Sequence, residues 1–214
     1  MPKADTLDQA AVDTVRSISA TRSPGSLVSV TLASGERYQV SSARVAELGL
    51  AAGDELDVSK LEALRQAHTL DRAEQRLLRL LGTRARSRHE LADRLDAWGV
   101  EPERGELLLD RLTRAGLLDD EQFAQELSEG LQRRGHGSLR ARHDLDRLGV
   151  SESARSRALA GHEQADQQIA HDLVIAEFGQ PPYDQATARR AAALLTRRGF
   201  DESAITQVLD LDPE

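Results

Sequence analysis

The side chains best able to do chemistry in this 214-residue sequence are its arginines. They gather at related places along the chain: Arg84, Arg86 and Arg88; then Arg133, Arg134, Arg140 and Arg142; then Arg189, Arg190, Arg197 and Arg198. A guanidinium makes planar, two-pronged contacts to carboxylate or phosphate, so these groups could line up as a basic stripe against acidic protein groups or DNA phosphate. The bland reading weighs against this. A single arginine on a helix is by default solvated, and a GC-rich genome would also leave Lys3 and Lys60 as the only lysines. Asp119-Asp120 resembles a metal-binding or acid–base pair, but aspartate just after a glycine stop and before an apolar helix is a capping signature. The histidines, His68, His89, His136, His143, His162 and His171, are scattered and read as surface or capping groups. No phosphate-binding loop, nucleophile elbow, dinucleotide fingerprint or paired-histidine zinc motif is present. The expectation is a non-enzyme with no catalytic residue, metal or cofactor.

The elements that must carry these arginines show an internal repeat. Gly99, Gly149 and Gly199 stand 50 residues apart, each followed by an apolar residue (Val100, Val150, Phe200) and preceded four positions earlier by leucine (Leu95, Leu145, Leu195). This predicts a helix that stops at a left-handed glycine, tucks the next apolar side chain onto its last turn, and restarts almost at once. Ser151 or Asp201 serves as N-cap, and Pro102 as a first helical residue. Within the first unit, Ser87 and Glu90 form a capping box before the stripe Leu91, Leu95 and Trp98. Leu107, Leu108 and Leu112 mark the next helix, which ends at Gly116. Asp119 or Asp120 caps a third, with Phe123, Ala124 and Leu127 inward. The final unit runs from Ile169 and Leu173 through Phe178, breaks at Pro181-Pro182, and resumes with Ala191, Leu194 and Leu195. Such small bundles must share apolar faces with their neighbours.

Upstream, residues 26–40 alternate apolar and polar positions around Ala33-Ser34-Gly35-Glu36, which predicts a β-hairpin. A short helix from Ser41 or Ser42, a turn at Gly53-Asp54 and a helical segment from about Ser59 follow. Residues 1–22 read as a frayed or weakly docked helix, and nothing after residue 60 reads as a strand. The fold class is thus mainly α. It comprises tandem three-helix repeats, three units with a period of about 50 residues, behind a small N-terminal α+β module containing the hairpin. The expected divisions are 1–60, 61–116, 117–165 and 166–214.

Composition limits the partners. Aromatics are only 3% of the chain, so Leu, Ala and Val must fill the core, as suits helices. Cysteine is absent, which fits a reducing compartment. Met1 to Arg22 carries charges throughout and has no apolar stretch suited to a signal peptide or membrane span, so a cytoplasmic location and no membrane are expected. The formal charge of −8 argues against coating naked DNA by charge neutralisation alone. A protein partner is the better expectation.

Taken in order, several stretches make the sequence closely resemble the RecX family of recombinase regulators. They are Arg84-Ala85-Arg86-Ser87-Arg88-His89-Glu90-Leu91, Leu112 with Gly116-Leu117-Leu118-Asp119-Asp120 and Phe123-Ala124, Arg133-Arg134-Gly135-His136-Gly137, Leu145 to Val150, and Leu194-Leu195-Thr196-Arg197-Arg198-Gly199-Phe200. The resemblance implies a crescent of three-helix units that lodges in the groove of a RecA filament on DNA. It would slow filament growth or promote disassembly, and so lower strand exchange, ATP hydrolysis and co-protease activity. Direct contact with single- or double-stranded DNA stays open, and a monomer is expected. Two other readings compete. Ser87 to Leu118 could belong to a winged-helix transcription regulator, which should then supply a two-stranded wing, or the chain could be a general helical scaffold.

Overall fold

The computed structural model describes residues 12–19 and 27–210. Their elements are β1 (Asp13–Ser19), β2 (Val28–Leu32), β3 (Arg37–Val40), α1 (Ser42–Glu47), β4 (Glu55–Leu56), α2 (Val58–Leu81), α3 (Arg88–Ala97), α4 (Pro102–Arg114), α5 (Asp120–Arg133), α6 (Ser138–Arg147), α7 (Glu152–Phe178), α8 (Gln185–Arg198) and α9 (Glu202–Leu209). The protein is mainly helical with a small N-terminal antiparallel sheet. Its contacts divide it into two compact bodies. Among the described residues, one comprises those up to Thr83 with Ala92–Asp110, the other Arg84–Leu91 with those from Arg111 to Asp210.

In the first body the sheet order is β3-β2-β1-β4. The hairpin falls where alternation places it, with Val28 opposite Val40 and Val30 opposite Tyr38, and Gly35 takes φ +93° in the turn. Val15, Val30, Leu32, Val40 and Leu56 meet Leu61, Leu64 and Ala67 of α2 in one core. The expected helix over residues 1–22 is overturned where the structure describes it, because Asp13–Ser19 is a strand; the rest of that stretch lies outside the described residues. The cause is a β-bulge between Val15 and Ser17, which lets Val15 face Leu32 and Ile18 face Val30. A bulge inserts one residue, so two apolar residues three apart share a sheet face and imitate helical spacing.

Beyond the sheet, the 50-residue repeat governs burial. Leu91, Ala141 and Ala191 are buried, as are Leu95, Leu145 and Leu195, then Val100, Val150 and Phe200, and finally Leu109, Leu159 and Leu209. Gly99, Gly149 and Gly199 have φ of +75°, +66° and +80°. The amide after each glycine bonds back to the leucine carbonyl: Val100 to Leu95 at 3.0 Å, Val150 to Leu145 at 3.1 Å, Phe200 to Leu195 at 3.2 Å. This is the expected Schellman stop. Pro102 opens α4, and Ser151 and Asp201 cap α7 and α9 by accepting from the Ala154 and Ala204 amides. Trp98 is only half-buried, with the Arg76 guanidinium 5.2 Å from its ring.

Where a winged-helix protein needs strands, this chain has α5. Its core joins Phe123, Ala124, Leu131, Leu145, Val150 and Leu159. A further core joins Ala170, Val174, Ala191, Leu195, Phe200 and Leu209. Helix α7 contributes to both and runs unbroken through residues 165 and 166. Among the described residues no helix is long and apolar enough to cross a membrane.

Candidate functional site

Apart from Arg189 and Arg190 in the first half of α8, the arginine groups lie around two joints in the second body, each where the start of one helix meets the end of another. A helix start has spare amides and a helix end has spare carbonyls, so abutting them satisfies both and aligns their dipoles. At the first joint the Ser87 hydroxyl, fully buried, donates to the Leu148 carbonyl at 2.7 Å and accepts from the Glu90 amide at 3.1 Å. At the second, the Gly137 amide donates to the Arg198 carbonyl at 2.9 Å and the Leu139 amide to Gly199 at 3.1 Å. Ser87 and Gly137, like Leu148 and Arg198, are 50 residues apart. The contacts are tight: a Cβ on Gly149 would lie 2.4 Å from the His89 ring, and one on Gly199 would lie 2.5 Å from Arg140 Cβ.

A half-buried carboxylate, Asp120, supports the first joint and a buried one, Asp166, the second. Asp119 caps its own helix by accepting from the Glu121 and Gln122 amides at 2.9 and 3.0 Å. Asp120 instead reaches across to α3 and accepts from the Arg88 amide at 2.7 Å. Burial pushes its carboxyl above the ordinary range, while the Arg88 amide and charge pull it down. At the second joint Asp166 accepts from the Ser138 amide at 3.0 Å and hydroxyl at 2.6 Å. It too is raised by burial, against the pull of the Ser138 bonds and nearby His162.

His162 departs from the surface or capping role expected of it, since it is 2% exposed. Its Nε2 lies 2.8 Å from the His136 carbonyl and its Nδ1 3.0 Å from the Ser128 hydroxyl. The carbonyl can only accept, so Nε2 carries a proton and donates to it, while Nδ1 and the Ser128 hydroxyl share a hydrogen bond. The sequence hint was His162 and Asp166 one turn apart, but their polar partners come from α5 and the start of α6.

The arginines differ in what they can still reach. Arg86 is buried and pairs with Glu90, which Arg84 also approaches at 3.2 Å. Glu90, placed in the sequence as a capping partner, therefore holds Arg86 inward, whereas Arg84 stays exposed. Arg88 contributes its amide to Asp120. Near the second joint, Arg133 lies 3.7 Å from Glu129, Arg140 2.9 Å from Asp144, and Arg142 2.7 Å from Glu163. The Arg198 guanidinium donates to the Arg134 carbonyl at 2.9 Å. His136 registers the crowding, being held below its ordinary pKa by burial and then by the charges of Arg198, Arg140 and Arg134. On α8, Arg190 lies over the Phe178 ring at 5.4 Å. Arg189 and Arg197 are exposed and have no ion-pair partner among the described residues. Arg197, on the last turn of α8, thus brings an exposed cation close to the second joint. Among the described residues no group of three or more His, Asp or Glu is placed to hold a metal ion.

Helical units of a 50-residue repeat, abutted end to end and edged with arginine, define a tandem helical-repeat protein. A family model described as "RecX, first three-helix domain" matches residues 73–112. The regulatory protein RecX of Stenotrophomonas maltophilia (strain R551-3) is 39% identical over 141 residues, covering 65% of this chain and 86% of that protein. That of Xanthomonas axonopodis pv. citri (strain 306) is 40% identical over 141 residues, covering 65% and 87%. The chain belongs to the RecX family of regulatory proteins. In fold it is similar to a crystal structure of regulatory protein RecX, with a TM-score of 0.69 and 22% identity over 94% of this chain and 100% of the other. The crystal structure of RecX from Lactobacillus salivarius matches with a TM-score of 0.58 and 16% identity, covering 67% of this chain and 98% of the other.

Proposed function

We propose that this protein acts in the cytoplasm as a monomer, binding RecA filaments on DNA and restraining them without chemistry of its own. Filament extension, ATP hydrolysis, strand exchange and co-protease activity would fall together. The observation that carries this reading is kinship with RecX regulatory proteins at 39% identity across most of their length. The second joint supplies a physical means, because Arg134, Arg140 and Arg198 concentrate positive charge on a chain whose net charge is −8. A local basic surface on an acidic protein favours a partner that offers fixed anionic groups in register over free DNA. Acidic side chains of the filament and DNA phosphates exposed along it both qualify. Arg133, Arg142, Arg189, Arg190, Arg197 and the exposed Arg84 extend the surface, and Arg86 and Arg88 serve chiefly to build the first joint. The working division into 1–60, 61–116, 117–165 and 166–214 is retained, with α7 serving the last two units.

Light scattering or pull-down with RecA filaments on single-stranded DNA, beside free RecA and free DNA, tests the proposal. Binding to filaments well above binding to either component is expected. Equal binding to free DNA would contradict it.

A further inference from the structure

The repeat allows one position to be followed through three helix pairs. In α6–α7, Arg155 stands on the first turn of α7 with its side chain only 14% exposed, and its guanidinium is held by Asp146 and Glu152. In α8–α9 the same position is Ile205, packed against an apolar core, and Thr196 stands at the position of Asp146. In α3–α4 it is Gly105, and Asp96 stands at the position of Asp146. Both arginine and isoleucine are thus missing there, and a groove of about 270 Å³ stands in their place. Leu95, Val100 and Leu109 floor it, and Asp93, Asp96 and Glu106 rim it. A Cβ at Gly105 would sit in ordinary van der Waals contact with Leu95 and Val100, so a side chain can start there without a clash.

We infer that the groove between α3 and α4 seats an arginine side chain of a protein partner. The occupant is identified by the chain itself, since Arg155 fills the equivalent space with a guanidinium on the carboxylate that corresponds to Asp96. An arginine lays its apolar stem on a hydrophobic floor and presents a forked cation to carboxylates. Asp96 takes the place of Asp146 and supplies the carboxylate. The occupant belongs to a different protein and not to a second copy of this chain, which goes beyond filament binding.

The test is an NMR titration of the ¹⁵N-labelled full chain with the peptide acetyl-Leu-Arg-Leu-amide and its citrulline counterpart. Saturable amide shifts confined to residues 92–109 are expected with the arginine peptide. Binding of the citrulline peptide should be weaker on the order of tenfold, the usual worth of a charged hydrogen bond. Gly105→Arg, which supplies the internal plug found at Arg155, should abolish the shifts. Asp96 is exposed, so Asp96→Asn keeps the fold and should weaken binding even if Gly105→Arg fails to fold. No saturable shifts, equal shifts with citrulline, or shifts centred elsewhere would overturn the inference. So would a concentration-dependent dimer in sedimentation that Gly105→Arg abolishes, because the occupant would then be an arginine of a second copy.

Discussion

Single residues here serve two helices at once. Ser87 caps α3 with its oxygen lone pair and ties the end of α6 with its proton. Ser87→Ala removes both bonds and leaves a part-buried carbonyl without that donor, so urea unfolding should show a loss of about 1–3 kcal/mol, more than a surface cap costs. A loss within about 0.5 kcal/mol, the range of ordinary surface changes, would mean the Leu148 contact carries no weight. Asp120 and Asp166 predict an unusual acid response. Burial raises both carboxyls above their ordinary 3.8 in the folded chain. Folded protein then keeps protons that the unfolded chain has released. That stabilisation is fully present below 3.8 and is lost as pH rises through the raised values. Compared with an Asp120→Asn/Asp166→Asn variant, the parent should gain relative stability as pH falls from about 7 to about 4. Unfolding curves at both pH values check this, and a constant difference would contradict it.

At the scale of elements, the joints explain why glycine recurs and why its instances are unequal. All of Gly99, Gly149 and Gly199 need a left-handed backbone, but only the last two also lie against another helix, whereas nothing is within 4 Å of a Cβ at Gly99. Alanine at Gly99 should cost about 1 kcal/mol for its backbone alone. At Gly149 the added clash with His89 should raise the loss to roughly 2–4 kcal/mol. Thermal or chemical unfolding of the two variants side by side gives the ranking, and equal losses would deny the joint a steric role. The glycine stops, the Pro102 start and the apolar stripes were legible because each is a local signal repeated at fixed spacing. Strand β1 was not, because its bulge gives Val15 and Ile18 a helix-like separation. Nor was the unbroken α7: no glycine or proline marks residues 165–166, but two cores sharing one helix is visible only in three dimensions.

For the whole molecule, the central tension is between a net charge of −8 and a local surface rich in arginine. The sequence could group the arginines but could not sort them, because Arg86 is buried on Glu90 whereas Arg189 and Arg197 face outward, and periodicity alone does not tell pairing from exposure. His136, Arg134, Arg140 and Arg198 come together only through the meeting of α6 and α8. Arg134→Glu with Arg140→Glu should therefore leave helix content by circular dichroism intact while weakening filament binding on the order of tenfold or more at low salt. The advantage of the parent should shrink as salt rises. The most direct test of filament restraint is the DNA-dependent ATPase of the cognate RecA on single-stranded DNA, titrated with this protein up to equimolar amounts. Turnover should fall across that range with the parent and much less with the doubly reversed variant. Unchanged RecA turnover in the presence of folded parent protein would contradict the proposed function outright.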